Sequence, residues 1–161
     1  MSYNPKLKQI IVDGFYDFFK NRFDEDMVFE ENADFDFTNC YSSRIKVKGN
    51  HINGYLIINV DPAALKHSHP ERKYGDEIVE EDLMDWVGEI VNRVLGNIKN
   101  DLLSFDLDTT LNPPSSQNSP FEKADDVKTE PETYVFSNGT YQLGITFQAD
   151  ISESVKFDKS A

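Results

Sequence analysis

The amino-acid sequence predicts an α+β fold, an antiparallel β-sheet with two long helices packed on one face. Two observations carry that reading. Apolar residues recur at helical spacing in two long stretches, one near the start of the chain and one from about Val79 to Leu102. Between and after them lie short runs that alternate apolar and polar residues, bounded by Gly, Asn and Pro. In order the chain reads helix, two or three strands, short helix, long helix, strand, loop, hairpin.

The first helix begins at Asn4-Pro5, where Asn caps and Pro fills the first helical position. Leu7, Ile10, Ile11, Phe15, Phe18 and Phe19 give it an inner stripe to about Arg22, and Asp24-Glu25-Asp26 ends it. Met27 to Phe37 is expected to be extended. Ser42 to Lys48 alternates, with Ile45 and Val47 on one face and Arg44, Lys46 and Lys48 on the other. Turn residues from Gly49 to Gly54 lead to the dense strand Tyr55 to Val60, and the two make an antiparallel hairpin. Asp61-Pro62 repeats the cap-plus-proline signal for a short helix over Pro62 to Lys66. After the second long helix, Phe105 to Asn112 is expected to be a strand stopped by Pro113-Pro114. Ser115 to Pro131 is rich in Ser, Asn, Pro and charge, with Phe121 its only large apolar residue, and is expected to be a mobile loop. Thr133 to Phe136 and Tyr141 to Phe147 flank Asn138-Gly139, a strong hairpin turn. The whole chain, 1–161, is expected to form one domain.

Composition narrows the function. A net charge of −13 disfavours nucleic acid and anionic membranes, which reward Lys and Arg, and favours a partner with exposed lysines. Cys40 is the single cysteine, so no disulfide can form within the chain and a reducing compartment fits. The opening MSYNPKLKQII lacks a signal-peptide layout, and no stretch approaches 18 apolar residues; the expected location is the cytoplasm. His51, His67 and His69 are the only imidazoles, and His67-x-His69 lacks a third ligand at metal spacing, so no metal site is expected. No phosphate-loop, dinucleotide, serine-elbow or zinc-protease motif is present.

What remains is the outer face of the long helix. Leu83, Trp86, Val87, Ile90, Val91, Val94, Leu95 and Ile98 form its apolar arc, which leaves Asp85, Glu89, Asn92 and Gly96 in a row on the opposite side. Glu89 and Asn92 are neighbours there, one an anionic acceptor and the other an amide that both donates and accepts. Gly88 and Gly96 each cost on the order of 1 kcal/mol against alanine and are expected to let a partner approach closely. Asp76, Glu77, Glu80, Glu81 and Asp82 form an acidic collar that suits the helix N-terminus and would attract a lysine-bearing partner.

The string Asp85-Trp86-Val87-Gly88-Glu89-Ile90-Val91-Asn92, with Gly96-Asn97, resembles the CheC/CheX/FliY family of chemotaxis phosphatases. The family motif is Asp or Ser, three residues, Glu, two residues, Asn, and a proline some way on; here Pro113 and Pro114 fall slightly early. The order of elements is similar too, and a single copy of the motif points to the CheX branch, whose members are usually homodimers. The resemblance implies a protein phosphatase acting on the phosphoaspartate of a CheY-like response regulator, which brings its own Mg²⁺. Glu89 would pair with a lysine of the regulator, Asn92 would orient the attacking water, and Asp85, Gly88 and Gly96 would line the contact. The competing reading is a non-catalytic docking or adaptor module of chemotaxis or flagellar-switch signalling.

Overall fold

The computed structural model describes residues 3–20, 30–31, 37–70, 77–110 and 112–157. Its elements are α1 (Pro5–Lys20), β1 (Glu30–Glu31), a 3₁₀ turn (Phe37–Asn39), β2 (Tyr41–Lys48) and β3 (Ile52–Val60). They continue with α2 (Pro62–Ser68), α3 (Glu80–Leu103), β4 (Ser115–Gln117), β5 (Glu132–Ser137) and β6 (Gln142–Ile151). The end of the first helix at Asp24–Asp26 and most of the stretch from Met27 to Phe37 lie outside the described residues.

The strands form one six-stranded sheet in the order β1-β5-β6-β3-β2-β4, with every pairing antiparallel. Register follows the sequence alternation. Ile45 stands opposite Leu56, and Leu56 opposite Phe147, so three strands send apolar side chains to one face. Ile45, Leu56, Ile58, Leu143, Ile145 and Phe147 are all buried there. Against them lie Leu7, Ile11, Phe15 and Phe19 of α1 and the apolar arc of α3. Phe15 meets Phe136 of β5 with ring centroids 5.1 Å apart, and Phe18 meets Trp86 at 6.1 Å. The helices cross closely at Gly14, where a Cβ would collide with the Ile98 side chain. The α+β reading, with both long helices on one face, therefore holds.

Two expectations need correction. Among its described residues, Phe105 to Asn112 contains no strand; Leu111 lies outside them. The chain turns after α3 through Asp106, which takes a left-handed φ of 62°, and among the described residues only Thr110 makes a bridge, to Lys48. Phe105 and Leu107 are buried, so the apolar pattern was real, but it belongs to a turn tucked under the sheet rather than to a ladder.

Nor is the segment from Ser115 to Pro131 a structureless loop. It opens with β4, which pairs with Ser42–Arg44 of β2, and then straps across the second face of the sheet. Phe121 and Tyr55 sandwich the Arg44 guanidinium at 4.8 and 4.7 Å. Lys46 and Tyr55 both donate to Asp126 at 3.0 Å. The buried amide of Gln148 accepts from Ala124 N–H at 2.9 Å and donates to the carbonyls of Ala124 and Thr129 at 3.1 Å. Ala124 and Val127 of the strap, set among polar residues, are buried. Polar side chains of the sheet, not an apolar run in the segment, give it structure. No helix among the described residues is long and apolar enough to cross a membrane.

Candidate functional site on the outer face of α3

The long helix is fixed at both ends and from below. At its start, the Asp82 carboxylate accepts from Val79 N–H at 3.2 Å, satisfying a donor the helix leaves open. Asn118 of the strap donates to Glu80 at 2.9 Å. Beneath it, Trp86 Nε1 donates to the buried hydroxyl of Ser68 at 3.0 Å, tying α3 to α2. Asp61 holds α2 in turn, accepting from Ala64 N–H and Gln142 N–H at 2.7 Å each. Near its far end, Asn97 donates to the Gly14 carbonyl at 3.4 Å. The Gly96-Asn97 pair thus divides its work, with Asn97 turned to α1 and Gly96 to the outside.

On the outward row, Asp85 and Glu89 are exposed and Asn92 is half-buried. Neither the Asp85 carboxylate nor the Asn92 amide makes a hydrogen bond among the described residues, so both keep their full capacity for a partner. Gly96 is open, with nothing within 4 Å of where a Cβ would stand. Glu89 is engaged: its Oε1 accepts from Arg93 Nε at 2.9 Å, one turn further along the helix. Arg93 went unremarked in the sequence, although Glu followed four residues later by Arg is a legible pair. A shallow groove of about 370 Å³ runs beside this row, lined by His69, Asp82, Asp85, Trp86, Glu89 and Arg93.

Gly88 departs from expectation. It is buried, and a Cβ there would stand 3.1 Å from Ser116 Oγ and 3.5 Å from Pro114 Cγ. Its small size admits β4 and the proline before it, not a partner protein. The helical wheel put Gly88 at the edge of the outer row because it contains no β4. Ser116 is itself held, donating to Ser43 Oγ of β2 at 2.9 Å. Pro114 is thus seated against α3 beside Gly88.

The acidic collar is present at Glu77, Glu80 and Glu81, all exposed, and at the half-buried Asp82; Asp76 lies outside the described residues. Cys40 is buried. His67 pairs with the Tyr141 hydroxyl at 3.1 Å, while His69 packs its ring edge against Trp86. Among the described residues no three of His, Cys, Asp and Glu are grouped to hold a metal.

The family described as chemotaxis phosphatase CheX matches residues 41–136, which span β2 through β5 and include the whole of α3. Several solved structures share the fold. CheX from Vibrio vulnificus superposes with a TM-score of 0.74 at 16% identity, covering 92% of this chain and 100% of that one. A CheC-like superfamily protein from Shewanella sp. PV-4 gives 0.73 at 20% identity over 92% and 99%. The CheX of a CheX–CheY–BeF₃–Mg²⁺ complex from Borrelia burgdorferi gives 0.66 at 14% identity over 88% and 96%. The comparison with curated proteins yields no match. Matched over more than half of its length, on a shared fold and with the motif residues on the outer face of α3, this chain belongs to the chemotaxis phosphatase CheX family.

Proposed function

We propose that this protein is a phosphatase for the phosphoaspartate of a CheY-like response regulator. The observation that carries the reading is the Asn92 amide, half-exposed and without a hydrogen bond among the described residues, one turn from the Glu89 carboxylate on a rigidly seated helix. Family membership and the CheX–CheY complex of B. burgdorferi support a partner of this kind.

The chemistry asks little of the catalyst beyond placement. A water oxygen attacks phosphorus, the bond from phosphorus to the aspartate oxygen breaks, the water's proton stays with the phosphate, and inorganic phosphate departs, leaving the regulator's aspartate side chain as a carboxylate. Asn92 can accept a hydrogen bond from that water and donate one to a phosphoryl oxygen, holding the attack in line. The Glu89 carboxylate pairs with a lysine of the regulator and sets the register of docking. Asp85, next along the row, and the open backbone at Gly96 complete the contact. The Mg²⁺ that offsets phosphoryl charge belongs to the regulator, so the chain described here needs no metal of its own.

Single-turnover decay of a phosphorylated CheY-type regulator at saturating protein tests the proposal. Asn92→Ala is expected to slow decay by about 10²- to 10³-fold while retaining most of the binding. Glu89→Ala is expected to weaken affinity as well as rate. Decay as fast with Asn92→Ala as with wild type would leave only the docking-module reading.

A further inference from the structure

Arg93 lies outside the motif, yet it is built into the site. Its Nε donates to Glu89 Oε1 at 2.9 Å, and its guanidinium carbon stands 5.6 Å from the centre of the Trp86 ring. The indole is a fixed platform, buried and tied through Nε1 to the Ser68 hydroxyl at 3.0 Å. Both charged side chains remain accessible, Arg93 at 43% and Glu89 at 47%. An exposed ion pair one helical turn apart biases its rotamers only about twofold. Here the cation is also held against an aromatic face, which adds a few-fold more. Only one oxygen of the carboxylate is used, and Oε2 has no partner among the described residues.

We infer that Arg93 is a positioning residue for Glu89: braced on Trp86, it selects the carboxylate rotamer that meets the partner's cation. The inference rests on the phosphatase reading for the identity of that partner, a regulator presenting a lysine. A carboxylate held at one oxygen accepts a lysine at the other without first losing rotamer freedom, so less entropy is lost on docking. The arrangement favours a compact ammonium, which needs one acceptor, over an arginine fork, which needs both. Arg93 therefore acts on affinity and partner choice rather than on the chemical step.

The test uses the full chain and CheY-type regulators loaded with beryllofluoride and Mg²⁺ for binding, or phosphorylated for turnover. Arg93→Ala is expected to raise Kd and KM by about three- to tenfold and to leave kcat within about twofold. In a Glu89→Gln background the same change is expected to do nothing further, since there is no carboxylate left to orient. Arg93→Lys, which keeps the charge but loses the planar face, is expected to restore affinity in part. Trp86 is the sole tryptophan, so its fluorescence confirms that each variant keeps the folded platform. Tighter binding by Arg93→Ala would overturn the inference by showing that Arg93 competes for Glu89, and an equal effect with or without Glu89 would reduce it to helix stability. The binding arms do not depend on catalysis, so an Asn92→Ala result that removes the phosphatase reading leaves the Arg93 result standing on its own. Failure of every regulator to bind wild type would overturn both.

Discussion

At the scale of single residues, two glycines of one helix separate packing from access. Gly96 faces open space and Gly88 faces Pro114 and Ser116, although both are one methyl short of alanine. Gly96→Ala gains helix propensity with nothing to displace, and is expected to stabilise the protein by about 1 kcal/mol. Gly88→Ala gains the same propensity but must push the Ser116 hydroxyl, which is held by Ser43 at 2.9 Å. Thermal melts should rank Gly96→Ala above both wild type and Gly88→Ala. If Gly96 lies under a docked regulator, Gly96→Ala should also bind more weakly while melting higher. A variant that melts higher and binds as well as wild type would take Gly96 out of the interface.

At the scale of elements, the strap over 118–131 is a segment held by acids. Hydrogen bonds from Lys46 and Tyr55 hold the Asp126 carboxyl below its ordinary pKa. Asp150 is likewise lowered, first by the Lys128 N–H and also by the N–H and hydroxyl of Thr129. A carboxyl whose folded-state pKa is depressed contributes stability above its unfolded value and loses it as pH falls through the folded one. The strap should thus be fully held at neutral pH and loosen below about pH 4, where the unfolded carboxyl begins to take protons. Hydrogen-exchange protection of the Lys128 and Thr129 amides, corrected for intrinsic rate, should fall across that range. Asp150→Ala should abolish it at neutral pH. Protection that survives both would mean that Gln148 and the Arg44–Phe121 stack hold the segment unaided. Because β4 leads directly into the strap and sets Ser116, with Pro114 just before it, against Gly88, the hold on the far face of the sheet also steadies α3.

For the whole molecule, the question is how one motif per chain is deployed. β4 is three residues long and stands at the edge of the sheet beside β2. An edge strand offers unpaired backbone groups to another chain. Together with the single motif, this leads us to expect a homodimer carrying one copy of α3 per subunit. Light scattering across the micromolar range should give twice the mass of the 18.5 kDa chain. A monomer mass at every concentration would reject that assembly.

Elements whose signals are local can be read directly from the chain. Helical spacing placed α1 and α3, period-two alternation placed β2 and β6, a dense apolar run placed β3, and Asp61-Pro62 and Asn138-Gly139 marked a helix start and a hairpin. The Asp85, Glu89, Asn92 and Gly96 row was legible for the same reason, since a helix converts spacing directly into a common face. The rest depends on neighbours distant in the chain. Gly88 is a packing glycine because β4, more than two dozen residues on, lies against it. The strap has structure because Gln148 and Asp150 of β6 supply the hydrogen bonds its own residues lack. Phe105 and Leu107 are core without being strand because Asp106 takes a backbone conformation that their pattern does not encode. Arg93 joins the site because a buried indole lies beneath it. Local propensity reads one segment at a time, whereas burial and hydrogen-bond satisfaction are settled only when segments meet.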